Sequence, residues 1–338
     1  MQDVADAAGV HRTTVSLAIR QHPSIPETTR KRILNLADSL GYRPNPMVSA
    51  LMSQLRHKRS RKQHEIIAYV TTNPPDNPWR RYPSLREMFA GAQSRAAALG
   101  FAVQEFDARA EGMSGHRIRK ILQTRGIRGL LLAPMPSQWG SEELDLDFSQ
   151  FAAASLGLSL KFPPLERVAS DHYQCMRLVF ARCLSLGYQR IGLVIGQEMS
   201  ARLEGRWIAA HLYEQNLLPP AQRVSPLPVQ DRAHWWMDPA VEEWCLRERP
   251  DVIALPLGDT DWRALAILPG APGVVNLTLP AHDRNCAGIL QNTFRLGEIG
   301  VERVVSRLLH NDLGPLDSIQ TTMLHGDWVD GASLPPRG

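Results

Sequence analysis

From residue 65 to residue 255 short apolar runs of strand length alternate with longer amphipathic runs of helix length, and few folds accept that pattern. Strands are expected at 66–70, 101–106, 129–133 and 151–156, with helices over 85–99 and 118–124 between them. The scheme then repeats: helix 175–186, strand 191–195, helix 202–215, a connecting strand near 223–227, helix 239–248 and strand 252–255. Strand and helix in alternation imply a parallel sheet covered by helices, and two rounds of it imply two similar lobes. A cleft between two such lobes is a favoured place for a small ligand.

The first 62 residues do not share this pattern. They hold eleven Lys or Arg against four acids, a net +7, whereas the whole chain of 338 residues carries only +4, so the remainder is −3. A basic head on a mildly acidic body points to a polyanion at the N-terminal end alone. No apolar run approaches the length of a membrane span, and the start, Met1-Gln2-Asp3-Val4-Ala5-Asp6, is unlike the basic and then apolar start of a signal peptide. Four cysteines (Cys175, Cys183, Cys245, Cys286) without CxxC spacing read as buried free thiols. A cytoplasmic protein is therefore expected, without metal or cofactor. No Walker A loop, GxGxxG, GxSxG or HExxH occurs, and no catalytic residue is expected.

Within the head, Asp3 to Ala8 forms a short helix with Val4, Ala5 and Ala8 inward, and Gly9 stops it. A second helix starts after His11, with Val15, Ala18 and Ile19 inward and Arg12, Thr13 and Ser16 outward. Two short helices across a tight glycine turn form a helix-turn-helix, whose second helix enters the major groove. Pro26 and Glu27 start a third helix, with Ile33, Leu34, Leu36, Ala37 and Leu40 behind, and Gly41 ends it. After the break Tyr42-Arg43-Pro44-Asn45-Pro46 comes one short apolar helix, 47–55, and then a basic linker, 56–62.

As a set, Asp3-Val4-Ala5 with Ala8-Gly9-Val10, Thr14-Val15-Ser16, Ile25-Pro26 with Thr29-Arg30, and Leu40-Gly41-Tyr42-Arg43-Pro44-Asn45 resemble the lactose-repressor (LacI/GalR) family of bacterial transcription regulators. The resemblance implies an N-terminal all-α helix-turn-helix with a hinge helix, then a two-lobed α/β core like periplasmic binding proteins, with parallel sheets. The implied domains are 1–44 for the head, 45–62 for hinge and linker, and 63–332 for the core. Lobe 1 is expected at about 63–165 plus 286–312, and lobe 2 at about 166–285 plus 313–332. The family implies a homodimer on a palindromic operator, repressing transcription under control of a sugar or related metabolite bound between the lobes. A solute-binding protein without DNA activity is the alternative, though it has no use for residues 1–62.

Residue by residue, the resemblance assigns Arg12, Thr13, Ser16 and Leu17 to base reading. It gives Arg20, Arg30, Lys31, Tyr42 and Asn45 to phosphate, and Leu51 with Ser49 and Ala50 to a minor-groove hinge in which Leu51 is the wedge between base pairs. His11 stands where the family usually has Ser and Leu17 where it has Arg; leucine cannot donate to guanine, so a different operator core is expected. The residues that precede the first helix in the family and cap it are absent, as from a late or trimmed start. In the body, Val168-Ala169-Ser170-Asp171 and Leu186-Gly187-Tyr188-Gln189-Arg190-Ile191-Gly192 match the family more loosely. Arg206 then falls on the family's effector arginine, with Arg202 a nearby competitor. Asp171 is an effector ligand or a plain helix cap, His172 replaces the commoner Asn, and Asp259 matches with a one-residue shift. Trp79, Trp235 and Trp236 stand in expected loops, where aromatic faces stack on sugar rings, and join the effector residues; Trp262 shares that setting.

Overall fold

A computed structural model of the chain describes residues 2–19, 24–42, 65–135, 144–230, 238–283 and 285–337. The hinge and basic linker expected at 45–62 lie outside the described residues.

In the head, α1 (Gln2–Ala8), α2 (Arg12–Ile19) and α3 (Glu27–Ser39) close on Val4, Ala5, Ala8, Val15, Ala18, Ile25, Ile33 and Ala37. One device ends both α1 and α3. Gly9 and Gly41 take left-handed backbone, φ +63° and +64°, and the next residue donates back, Val10 N–H to Ala5 at 3.0 Å and Tyr42 N–H to Ala37 at 2.8 Å. A residue without Cβ adopts that conformation at no steric cost, and the returning bond satisfies a carbonyl left open at the helix end. Arg32 adds a bond from α3 to the Ala8 carbonyl at 3.1 Å, which closes α1 onto α3.

Two six-stranded sheets form the body. The first runs β11-β5-β4-β3-β1-β2, from β1 (Glu65–Thr71), β2 (Phe101–Asp107), β3 (Gly129–Leu132), β4 (Ala152–Leu156), β5 (Glu166–Ser170) and β11 (Gln320–Leu324), all parallel. The second runs β12-β10-β9-β8-β6-β7, from β6 (Ile191–Gly196), β7 (Leu227–Val229), β8 (Val252–Leu255), β9 (Gly273–Asn276), β10 (Ala287–Leu290) and β12 (Asp327–Val329). Here β12 is antiparallel to β10, so the sheets are parallel except at that edge. The helices are α4 (Pro83–Ala98), α5 (Gly115–Thr124), α6 (His172–Ser185), α7 (Gln197–Arg202), α8 (Arg206–Leu217), α9 (Pro239–Glu248) and α10 (Thr293–His310). Among the described residues no helix is long and apolar enough to cross a membrane. All four cysteines are free and buried.

The expected lobe boundaries at 165/166, 285/286 and 312/313 are corrected by strand pairing. β5 lies in the first sheet between β4 and β11, β10 lies in the second, and β11 returns to the first. The chain therefore changes sheet at three places: between Ser170 and His172, Leu290 and Thr293, and Leu324 and Asp327. Pairing partners far apart in sequence decide where a strand belongs, and the apolar run of β5 carries no mark of them. The expected helix 202–215 is also broken, because Glu204 and Gly205 both take left-handed backbone and separate α7 from α8. The edge strand expected near 223–227 falls instead at β7, Leu227–Val229, while the Arg223 guanidinium ties the preceding loop to the Leu218 and Asn216 carbonyls.

Two reciprocal glycines allow α4 and α10 to touch backbone to backbone. A Cβ on Gly91 would lie 1.9 Å from the Phe294 carbonyl oxygen, and one on Gly297 would lie 1.9 Å from that of Met88. The three crossovers are tied to one another. Asp171 N–H donates to the Leu324 carbonyl at 2.8 Å, Ser170 Oγ to Gln291 Oε1 at 3.1 Å, and Asn292 Nδ2 to the His325 carbonyl at 3.2 Å and Asp327 Oδ2 at 2.8 Å. These bonds hold the three crossovers side by side.

Candidate functional site

The head presents its candidate readers at the start of α2. Arg12 and Thr13 are exposed in the first turn, Ser16 is half-buried one turn on, and Leu17 packs against the head's core. Leu17 is thus partly used inward. His11 starts the helix: its carbonyl accepts from Thr14 N–H at 2.8 Å, and its Nδ1 accepts from Thr13 N–H at 3.3 Å and pairs with the Thr13 hydroxyl. With Nδ1 as acceptor of both, the Thr13 hydroxyl proton is held by the ring and the oxygen is left to accept. Lys31 is exposed and paired with Glu27 at 2.9 Å, a contact of small net strength that a phosphate can replace. Arg30 is half-buried, and Tyr42 packs on the head's core. Arg20, Asn45, Ser49, Ala50 and Leu51 lie outside the described residues.

The second candidate site lies where the crossovers bring the two lobes together. Asp171 is the N-cap of α6 and accepts from Gln174 N–H at 3.0 Å; its other oxygen lies 3.6 Å from His325 Nε2. Its cap role and its place at the first crossover are both observed. Arg206 opens α8 and donates to Glu204 at 3.1 Å. Glu204 also accepts from Lys161, in the loop between β4 and β5, at 2.9 Å and from Arg167 on β5 at 3.3 Å, so this carboxylate bridges the lobes. Burial alone raises the Glu204 pKa, but hydrogen bonds from Lys161 and Arg206 outweigh it and hold the group below the usual carboxylate range. His172, beside Asp171, packs edge-on against Trp207 with centroids 5.1 Å apart; burial first, then the charge of Arg206, push its pKa down to about 4.

At the matching end of the second sheet, Asn276 organises two loops. Its Oδ1 accepts from Leu257 N–H at 3.1 Å and Thr278 N–H at 3.0 Å, and its Nδ2 donates to the Gly258 carbonyl at 3.0 Å. Asp259 follows directly, exposed and 3.8 Å from His282 Nε2. Trp262 is half-buried with Nε1 unpartnered among the described residues, and Arg263 covers its ring.

Trp79 is a correction. It was expected to offer a ring face to a ligand, yet it is only 4% exposed, packed against Tyr69 and Phe89, with Nε1 donating to Glu105 at 2.6 Å and Arg80 over its face. The 3-10 turn at Trp79–Arg81 folds the ring into the aromatic core of the first lobe. Trp235 and Trp236 lie outside the described residues. Glu204, Lys161, Arg167 and Asn276 were not singled out from sequence; the glycine after Glu204 was the one local signal, since a turn there breaks the helix. No group of three or more His, Cys, Asp or Glu able to hold a metal occurs among the described residues.

Residues 1–45 match the family described as "Bacterial regulatory proteins, lacI family". The HTH-type transcriptional regulator DegA of Bacillus subtilis (strain 168) is 24% identical over 196 residues, 57% of this chain and 54% of that protein. The chain spans about half the length of curated relatives of this kind. Among solved structures, a transcriptional regulator CelR-cellobiose complex aligns at TM-score 0.56 and 17% identity, over 98% of each chain. A Lac repressor dimer bound to operator and the anti-inducer ONPF aligns at TM-score 0.55 and 18% identity, again over 98% of each. Residues 1–45 therefore match the lacI-family model, and the chain shares its fold with the Lac repressor.

Proposed function

We propose that this protein is a sequence-specific DNA-binding transcription regulator, acting as a repressor, whose operator affinity is set by a small molecule held between its two lobes. The observation that carries the reading is the lacI-family head with Arg12 and Thr13 exposed in the first turn of α2, which is where a recognition helix meets base edges. Arg12 reads guanine through paired donors, and Thr13 offers an acceptor. Arg20, Arg30, Lys31, Tyr42 and Asn45 position the head on phosphate, and Leu51, flanked by Ser49 and Ala50, opens the minor groove.

The regulator works as a homodimer on a palindromic site, with domains at 1–44, 45–62 and 63–332, and it is a cytoplasmic protein without catalytic activity. DegA's description as a regulator, and the operator, anti-inducer and cellobiose named with the two structural neighbours, support this reading. Asp171, Arg206 and Asp259 hold the effector, and Trp235 and Trp236 stack on it. Coupling between effector and operator is reciprocal, so an effector that weakens DNA binding binds less tightly to the DNA complex. Selection of bound sequences from random DNA, repeated with a panel of sugars and metabolites, tests it: palindromic enrichment that one compound alters is expected, and no enrichment refutes it.

A further inference from the structure

Around the bridge between the lobes, positive charge exceeds negative charge. Lys161, Arg167 and Arg206 all meet the single carboxylate of Glu204, at 2.9, 3.3 and 3.1 Å. Arg167 is only 5% exposed, and one long contact to Glu204 uses one of its five donors. Taking a cation out of water is unfavourable unless negative charge matches it, and the one carboxylate that meets the buried Arg167 is shared with the more exposed Lys161 and Arg206. Polar atoms without a hydrogen-bond partner among the described residues gather at the same place. They are Arg206 Nε, His172 Nδ1, and Ser155 Oγ on the strand position that pairs in register with Arg167. His172 and Ser155 are both more than nine-tenths buried.

Glu204 itself reaches this point through a backbone conformation that a residue with a Cβ rarely adopts, φ 58°, followed by Gly205 at 66°. The turn between α7 and α8 thus holds a carboxylate out to cations on the opposite lobe against its own backbone preference. Chemically, this is a tethered anion placed in a basic site.

We propose that the cleft takes an anionic effector, a small metabolite bearing a carboxylate or a phosphate, whose acidic group takes Arg167, Lys161 and Arg206 over from Glu204. The proposal rests on the reading of this cleft as the effector site. Before the ligand arrives Glu204 is the internal anion that joins the lobes; afterwards the ligand's acid makes that joint. Guanidinium forks suit both carboxylate and phosphate, and a neutral sugar leaves the excess charge unmatched.

The test is calorimetric titration of the full chain with inorganic phosphate, D-gluconate and D-glucose, which separate phosphate, carboxylate and neutral sugar. One or both anions bind wild type, and they bind about tenfold more tightly to Glu204→Gln, which removes the competing charge. Arg167→Gln and the milder Lys161→Met weaken the same anions, with melting curves showing that each variant is folded. D-glucose shows no gain in Glu204→Gln. Equal anion affinities in wild type and Glu204→Gln, or no anion binding to Glu204→Gln, overturn the proposal. If selected DNA binds and D-glucose but neither anion releases it, the anionic assignment fails while the regulator reading stands. If Glu204→Gln gains an anion but no DNA sequence is enriched, the regulator reading fails and the anion site stands.

Discussion

Lowering the pH from 7 to 5 will destabilise the body of this protein well before its carboxylates titrate, because two histidines are buried in neutral form. His172 and His211 are both brought to about 4, from an ordinary 6.5, chiefly by burial. His211 is fully enclosed, with Nε2 near the Ile191 carbonyl at 3.2 Å and Gln215 Nε2 at 3.1 Å, and its ring packs edge-on against Phe180. Their folded pKa lies below the unfolded value, so the unfolded chain binds the extra protons. The stability they contribute is complete above about pH 6.5 and is lost as the pH falls toward 4. Each pH unit in that window costs about 1.4 kcal/mol per histidine, so pH 5 removes about 2 kcal/mol for each and about 4 kcal/mol for both. Against a net stability of about 5–15 kcal/mol, such a loss is large. Glu204, Asp147 and Asp261 are held below their ordinary range, so their stabilisation is lost only below the usual carboxylate values. Urea unfolding followed by tryptophan fluorescence at stepped pH measures the slope. His172→Asn and His211→Gln should each remove about half of it. A flat profile between pH 7 and 5, or the full slope in the double variant, refutes the reasoning.

Further tests address the packing and the two sites. Gly297→Ala gains about 1 kcal/mol of helix preference but drives a methyl to 1.9 Å from the Met88 carbonyl oxygen, at about 3 kcal/mol of overpacking; a melting curve should show a net loss of about 2 kcal/mol, and unchanged stability contradicts the close contact of α4 and α10. Arg12→Ala should cost about 1–3 kcal/mol on a selected operator and relax preference at one base pair, while wild-type affinity falls steeply with salt; uniform loss on all sequences would make Arg12 a phosphate contact. Leu51→Ala should weaken specific binding far more than non-specific binding, and equal losses on both would remove its wedge role. Arg206→Ala should abolish the effector titration while leaving DNA affinity intact, and an unchanged titration would take Arg206 out of the site.

Much of the head was legible in the sequence because its determinants are local. Gly9 and Gly41 stop helices through their own backbone freedom, and the apolar spacing of Val4, Ala5, Ala8, Val15 and Ala18 selects the inward faces without reference to distant residues. The alternation of strand and helix runs likewise announced two α/β lobes. The lobe boundaries were not legible, since β5 and β11 pair across about 150 residues and neither run carries a mark of its partner. From sequence Trp79 looks like a loop residue open to ligand, because nothing in its chain neighbours shows that Tyr69, Phe89 and Glu105 enclose it.

By itself, then, the sequence determined the helix-turn-helix, its basic charge and the α/β class of the body, all properties of spacing and local backbone preference. Only the tertiary structure decided that Glu204 meets Lys161, Arg167 and Arg206, and that two histidines are enclosed. Those outcomes depend on through-space electrostatics and desolvation between groups that three crossovers bring together, and linear order does not encode distance.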